Sequence, residues 1–155
     1  MPRLEDEIKQ PSFKSIYQKA FINLMFTSGW VQTRQNQIFR TYDLTGPQFN
    51  ILRILRGQYP KPATINLLID RMLDKTSNAS RIVDKLVAKG LVTRQPCEHD
   101  RRTVDVIITP AGLAVLTRID EEEKDIHSGL INLTETEAAE LSRLLDKIRD
   151  NEIKE

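Results

Sequence analysis

Between Leu73 and Gly112 the chain reads LDKTSNASRIVDKLVAKGLVTRQPCEHDRRTVDVIITPAG, and its apolar period changes from helical to alternating within that span. Ala79, Ile82, Val83, Leu86 and Val87 recur at i, i+3, i+4, i+7 and i+8, the spacing of one buried helix face. Asp74 and Lys75 make the turn before this helix, and Thr76 or Ser77 is the expected N-cap. Lys85 and Lys89 sit where the helix dipole favours cations, and Gly90 is the expected C′ glycine. Leu91 to Gln95 then reads as a strand. Pro96-Cys97-Glu98-His99-Asp100 reads as a hairpin connection. Val104, Val106 and Ile108, alternating with Asp105 and Ile107, read as the returning strand. The polar residues of the stretch gather at two places that can face a partner, the helix start and the turn.

The flanks read as support. Ser12 is the expected cap of a helix carrying Phe13, Ile16, Tyr17, Ala20, Phe21 and Leu24. The pattern runs on through Trp30, Val31, Ile38 and Phe39, as one long helix or as two separated near Ser28-Gly29. So long an apolar helix needs more cover than one small domain offers, which favours a partner chain. Thr45 caps the next helix, with Pro47 at an early position, Phe49, Ile51, Leu52, Ile54 and Leu55 buried, and Gly57 as its end. Thr64 caps a short helix with Ile65, Leu68, Ile69, Met72 and Leu73. Two short helices with a compact polar turn between them match a helix-turn-helix. After the strands, Thr109 and Pro110 open a helix whose stripe is Leu113, Leu116, Ile119, Ile126 and Leu130. Thr134 to Glu137 has capping-box spacing and starts a last helix with Ala138, Leu141, Leu144, Leu145 and Ile148, and Ile153 beyond them.

Length and charge bound what the module can do. A chain of 155 residues is most simply one domain, and 39% apolar with 29% charged residues is an ordinary globular composition. No apolar run approaches the roughly 20 residues of a membrane span, and the acidic MPRLEDEIKQP is not expected to be a signal peptide. One cysteine, Cys97, excludes an internal disulfide and fits a reducing cytoplasm, the expected location. The net charge of +1 hides an asymmetry: Arg71 to Arg102 hold eight Lys/Arg against four Asp/Glu, and Asp120 to Glu155 five against twelve. A basic middle and an acidic end point to a polyanion partner for the middle alone, although uneven scatter of charge gives the same counts.

Catalysis has little to stand on. His99 and His127 are isolated, no ligand cluster has metal spacing, and the acids Asp120 to Asp125 spread around a helix as a solvated face. There is no nucleophile-elbow, phosphate-loop or dinucleotide motif. No enzyme, metal or cofactor is expected. What remains is recognition. The first helical turn, Ser77-Asn78-Ala79-Ser80-Arg81, puts short hydrogen-bonding side chains outside and Ala79 inside. Such a surface can enter a major groove, where Arg pairs with guanine and Asn with adenine; it also suits an ordinary capped helix start with a solvated face. An arginine on the narrow hairpin tip, Glu98 to Arg102, can enter a minor groove. The order helix, helix, strand, turn, strand describes a winged helix.

Here the stretch resembles the winged-helix core of the MarR family of bacterial transcriptional regulators. The resemblance is carried by DKLVAKGLVTR, by the Asp-x-Arg wing motif at Asp100 to Arg102 and by the strand-to-helix passage VIITPAG. It implies a mainly α (α+β) fold over a single domain, residues 1–155, with a winged-helix lobe at about 45–109 and dimerisation helices at about 12–42 and 110–155. It implies a homodimeric repressor on a pseudo-palindromic operator in double-stranded DNA. By position Ser77, Asn78, Ser80 and Arg81 would face bases. Lys75, Thr76 and Arg94 would meet phosphates. Arg102, oriented by Asp100, would reach the minor groove, and Arg101 would add a phosphate contact. The recognition helix begins with Ser-Asn, not the family's bulkier or more basic pair, so no operator sequence carries over. A small aromatic or phenolic effector is implied as a class, in a cleft that includes parts of the first helix and of the Phe49 helix, with its residues unassigned. Cys97 lies at the wing base and not in the first helix, where the family's peroxide sensors carry theirs, so it reads as incidental. The rival readings are a winged-helix adaptor that binds protein without DNA, and a sensor whose main output is ligand capture.

Overall fold

The computed structural model describes residues 2–97, 102–122 and 132–150. Two regions separate by their internal contacts, Met1–Lys124 and Asp125–Glu155. The first contains α1 (Leu4–Glu7), α2 (Ile16–Thr41), α3 (Gly46–Gln58), β1 (Ala63–Thr64), α4 (Ile65–Arg71), α5 (Ala79–Ala88), β2 (Val92–Pro96), β3 (Val104–Ile108) and α6 (Pro110–Glu122); the second contains α7 (Glu135–Arg149). The architecture is mainly helical with a small antiparallel sheet, and α4, α5, β2 and β3 form a winged helix-turn-helix.

Helix α2 is one helix of 26 residues, unbroken at Ser28-Gly29. Its cap is Ser15, whose hydroxyl accepts from the Gln18 amide, and not Ser12. The choice follows from backbone: Ser15 is extended and the helix starts after it, whereas Ser12 belongs to an irregular link behind the unforeseen α1. That short helix is tied down by buried Leu4 and by the Glu5–Lys19 pair at 2.5 Å. The Lys19 ammonium beside Glu5 holds its carboxyl down at about 2. Along α2, Phe39 is buried and stacks on Phe49 of α3 with ring centroids 4.3 Å apart. Most of the other large apolar residues of α2, including Tyr17, Phe21, Met25 and Trp30, are exposed.

Helix α3 starts as expected, with Thr45 and Gln48 forming a full capping box. It does not stop at Gly57: the helix continues to Gln58 and turns at Tyr59, so Gly57 is an ordinary helical residue. Its face of Phe49, Ile51, Leu52, Ile54 and Leu55 is buried and forms the middle of the core, with Leu68, Val83, Leu86, Val92, Val106, Leu116 and Ile119 around it. Helix α4 ends at Arg71, and only Leu68 on it is buried; Met72, just past its end, is buried too, whereas Ile69 and Leu73 are exposed.

The sheet has three strands in the order β1-β3-β2, one more than the wing required. Ala63 and Thr64 pair with Val106 and Asp105, and β2 pairs with β3 from Val92↔Ile108 to Pro96↔Val104. Two residues are too few to show the period of a strand, so β1 was invisible in the pattern. Gly90 has φ +70 and closes α5 in a Schellman turn, the Leu91 amide donating to Leu86 and the Gly90 amide to Val87. Thr109 accepts from the Gly112 amide and starts α6. Gly112 itself lies against the sheet, where a Cβ would stand 2.3 Å from the Leu91 carbonyl oxygen. Thr134 and Glu137 close the expected capping box of α7, on which Leu141, Leu144 and Ile148 are exposed. Ile126, Leu130 and Ile153 lie outside the described residues.

Candidate nucleic-acid interface

Helix α5 is amphipathic: Ala79, Val83 and Leu86 are buried and Ile82 half-buried, while Val87, counted in the buried face, is more than a third exposed. Its cap is Asn78, whose side-chain oxygen accepts from the Arg81 amide at 3.0 Å, and not Thr76 or Ser77. Both hydroxyls are taken by a third group. One oxygen of the Asp74 carboxylate accepts from the Thr76 amide at 2.9 Å and the Thr76 hydroxyl at 2.7 Å, and the other from the Ser77 hydroxyl at 2.6 Å. These bonds, that from Ser77 first and those from Thr76 next, hold the Asp74 carboxyl down at about 2. An aspartate closing its own turn through residues two and three positions on leaves the cap to the next polar side chain.

Lys75 turns back toward α4, its ammonium donating to the carbonyls of Ile69 at 3.1 Å and of Asp70. It thereby satisfies carbonyls that the helix end leaves open. Asn50 of α3 accepts from the Leu73 amide at 2.9 Å and fixes the same turn from the core side. At the other end of α5, Lys89 reaches the Asp43 carbonyl and the Gln48 side chain, so the helix is pinned at both ends.

Arg94 connects α5 to the wing. Strand alternation puts it on the same side as buried Val92, and one of its terminal nitrogens donates to Asp84 at 2.5 Å while the other donates to the Ser80 hydroxyl at 2.9 Å. Ser80 and Asp84 are one turn apart on α5, so a single guanidinium bridges strand and helix. Arg81 and Asn78 are exposed three residues apart, hence on one face. At the wing, the Cys97 amide donates to the Thr103 carbonyl, and Cys97 is half-buried. Arg102 is exposed; Asp100, Arg101, Glu98 and His99 lie outside the described residues, as does His127.

Of the residues singled out by sequence, Lys75, Thr76, Ser77, Asn78, Ser80, Arg81 and Arg94 therefore meet on α5, the turn before it and the adjoining strand. Asp84 was missed, and Asp74 was read only as a turn residue without its bonds to Thr76 and Ser77, although Asp-x-Thr-Ser is a legible turn signal. Among the described residues no group of three His, Cys, Asp or Glu is placed to hold a metal ion, and no helix is long and apolar enough to cross a membrane.

Residues 42–103 match the family model described as MarR family. A crystal structure of a MarR transcription factor from Planctomyces limnophilus is 32% identical, with a TM-score of 0.67 over 87% of this chain and 98% of that one. A mutant MarR from E. coli, crystallised in complex with operator DNA, is 27% identical, with a TM-score of 0.70 over 95% and 99%. The HTH-type transcriptional regulator PecS of Dickeya dadantii is 27% identical over 115 residues, 73% of this chain and 69% of its own.

Proposed function

The chain belongs to the MarR family of transcriptional regulators, and on that premise we propose that it binds operator DNA as a homodimer and represses transcription until a small effector binds. The observation that carries this reading is the surface of α5: its apolar face is sealed into the core, and Asn78, Ser80 and Arg81 are left outside on a helix held at both ends. A helix presented in this way, beside a two-stranded wing, fits a major groove. The E. coli relative, crystallised with operator DNA, supports DNA as the partner of this surface. Arg81 would face bases and Arg94 would lie near the backbone, with Arg102 of the wing, oriented by Asp100, in the adjacent minor groove and Arg101 on a phosphate.

The homodimer rests on α2 and α7. The exposed Tyr17, Phe21 and Leu24 recur at i, i+4 and i+7, and on α7 Leu141, Leu144 and Ile148 recur at i, i+3 and i+7. Apolar stripes of this kind mark association surfaces. Two recognition helices would then meet half-sites about one helical turn apart. The effector class, an aromatic or phenolic small molecule, follows from the family resemblance.

The test is a mobility shift of genomic DNA fragments by the purified protein across a salt series. Binding whose logarithm falls linearly with the logarithm of salt concentration, and which survives competitor DNA for a few fragments only, is the expected result. Absence of any retained fragment would remove the DNA-binding reading. Repeating the shift with candidate aromatic acids tests the effector: release of the retained fragment is expected.

A further inference from the structure

The hydrogen-bonding side chains around α5 are not neutral alternatives, because each has already committed one end to the protein. An ionised carboxylate only accepts, so the Thr76 and Ser77 hydroxyl hydrogens must both point at Asp74. What these two hydroxyls can turn outward is lone pairs. The Asn78 amide is oriented by its cap: its oxygen accepts from the Arg81 amide, which leaves the NH2 group as the outward end. Ser80 accepts from Arg94 and keeps its hydrogen and one lone pair to offer. Asp74 lies in the turn, Arg94 on β2 and Asn78 at the helix start, so three separate elements set the pattern.

We propose that these internal bonds fix the polarity of the reading surface, so that Asn78 turns its NH2 donors outward and selects guanine over adenine, while Ser77 offers acceptors only and takes a base amino group. The inference rests on the operator-binding reading above and specifies what that surface reads. An asparagine that reads adenine needs both ends of its amide, the oxygen for the N6 amino group and the NH2 for N7. Here the oxygen is turned toward the helix to accept from the Arg81 amide, and it would have to swing outward to meet adenine. Releasing it would uncap α5, a loss of roughly fivefold in helix population, and would strand the Arg81 amide in an interface that excludes water. Guanine demands no release, because its O6 and N7 are both acceptors and the two N–H groups of Asn78 suffice. The two pairings gain similar energy from the base, so the cap decides between them. By the same reasoning Ser77 cannot donate to a phosphate or to a guanine edge. It suits the amino group of cytosine or adenine.

The test is selection from a randomised duplex library with the full chain as wild type, Asn78→Asp and Asn78→Ser. Aspartate and serine are both good caps, so each variant keeps the helix start; circular dichroism and melting should match wild type. The wild type should enrich guanine at one symmetric pair of positions by about tenfold over adenine. Asn78→Asp, which puts an acceptor where the NH2 was, should lose that guanine and gain cytosine. Asn78→Ser should lose it and gain no preference. A wild-type preference for adenine that disappears in Asn78→Ser, or guanine enrichment that survives both substitutions, would overturn the polarity while leaving operator binding in place. A wild type that enriches no duplex would remove both.

Discussion

At Asp74 three donors converge on one carboxylate, and two of them are hydroxyls that would otherwise be available to a ligand. The folded carboxyl, held at about 2, lies below its ordinary value of 3.8. Its contribution to the turn is therefore complete above about pH 4 and lost as pH falls through about 2. A carboxyl-carbon NMR titration should find Asp74 near that lower value, and an ordinary midpoint would mean the bonds do not form in solution. Arg102 makes a separate prediction. If it enters the minor groove, Arg102→Ala should weaken operator binding by about 1–3 kcal/mol with the fold unchanged. Equal titration curves for variant and wild type would remove the wing contact. The residue types around α5 were legible in the sequence; which of them capped the helix was not. Thr76, Ser77 and Asn78 are all competent caps, and Asp74 decided among them by taking the first two.

Among the elements, α6 is held by a contact that no periodicity reveals. Gly112 is buried in its first turn, and a Cβ there would meet the Leu91 oxygen at 2.3 Å and the Ile108 Cγ1 at 2.7 Å. The nearer atom is backbone, fixed by the Thr109 amide that donates to it, and cannot move aside. Gly112→Ala should therefore cost about 1–3 kcal/mol in urea unfolding, as overpacking does, even though alanine is the better helix former. A neutral result would show that helix and sheet can separate freely. Apart from α1, the helices themselves were legible, because their stripes repeat every three or four residues. Their ends were less so: Gly57 reads as a terminator, yet α3 runs past it because nothing there requires a positive φ.

For the whole molecule, the exposed stripe of α2 is the feature a lone chain does not explain. Tyr17 is 84% and Phe21 64% exposed on a helix whose far end, at Phe39, is buried. Under the proposed homodimer, sedimentation should give a dimer at about micromolar concentration. Phe21→Lys should raise the dissociation constant at least about tenfold, with helicity unchanged because the side chain touches little within its own chain. A wild-type monomer at that concentration would undo the half-site spacing argument. The charge asymmetry belongs to this scale also, because it is a property of no single element: the basic run covers α5 and the wing, and the acidic run covers the chain from Asp120 onward.

Local pattern determined the order of elements apart from α1 and β1, most of the buried face of α5, the Schellman exit at Gly90 and the gathering of short polar residues at the start of α5, since each depends on residues within about one or two turns of one another. Tertiary structure decided the rest. Ser80 meets Arg94 from 14 positions away, Lys89 meets Asp43 from 46, and β1 exists only because β3 is there to pair with it. A hydrogen bond across such distances leaves no period in the chain. At Ser80 such a bond nevertheless sets which end of the hydroxyl stays outward, whereas Thr76, Ser77 and Asn78 are oriented by partners two and three residues away.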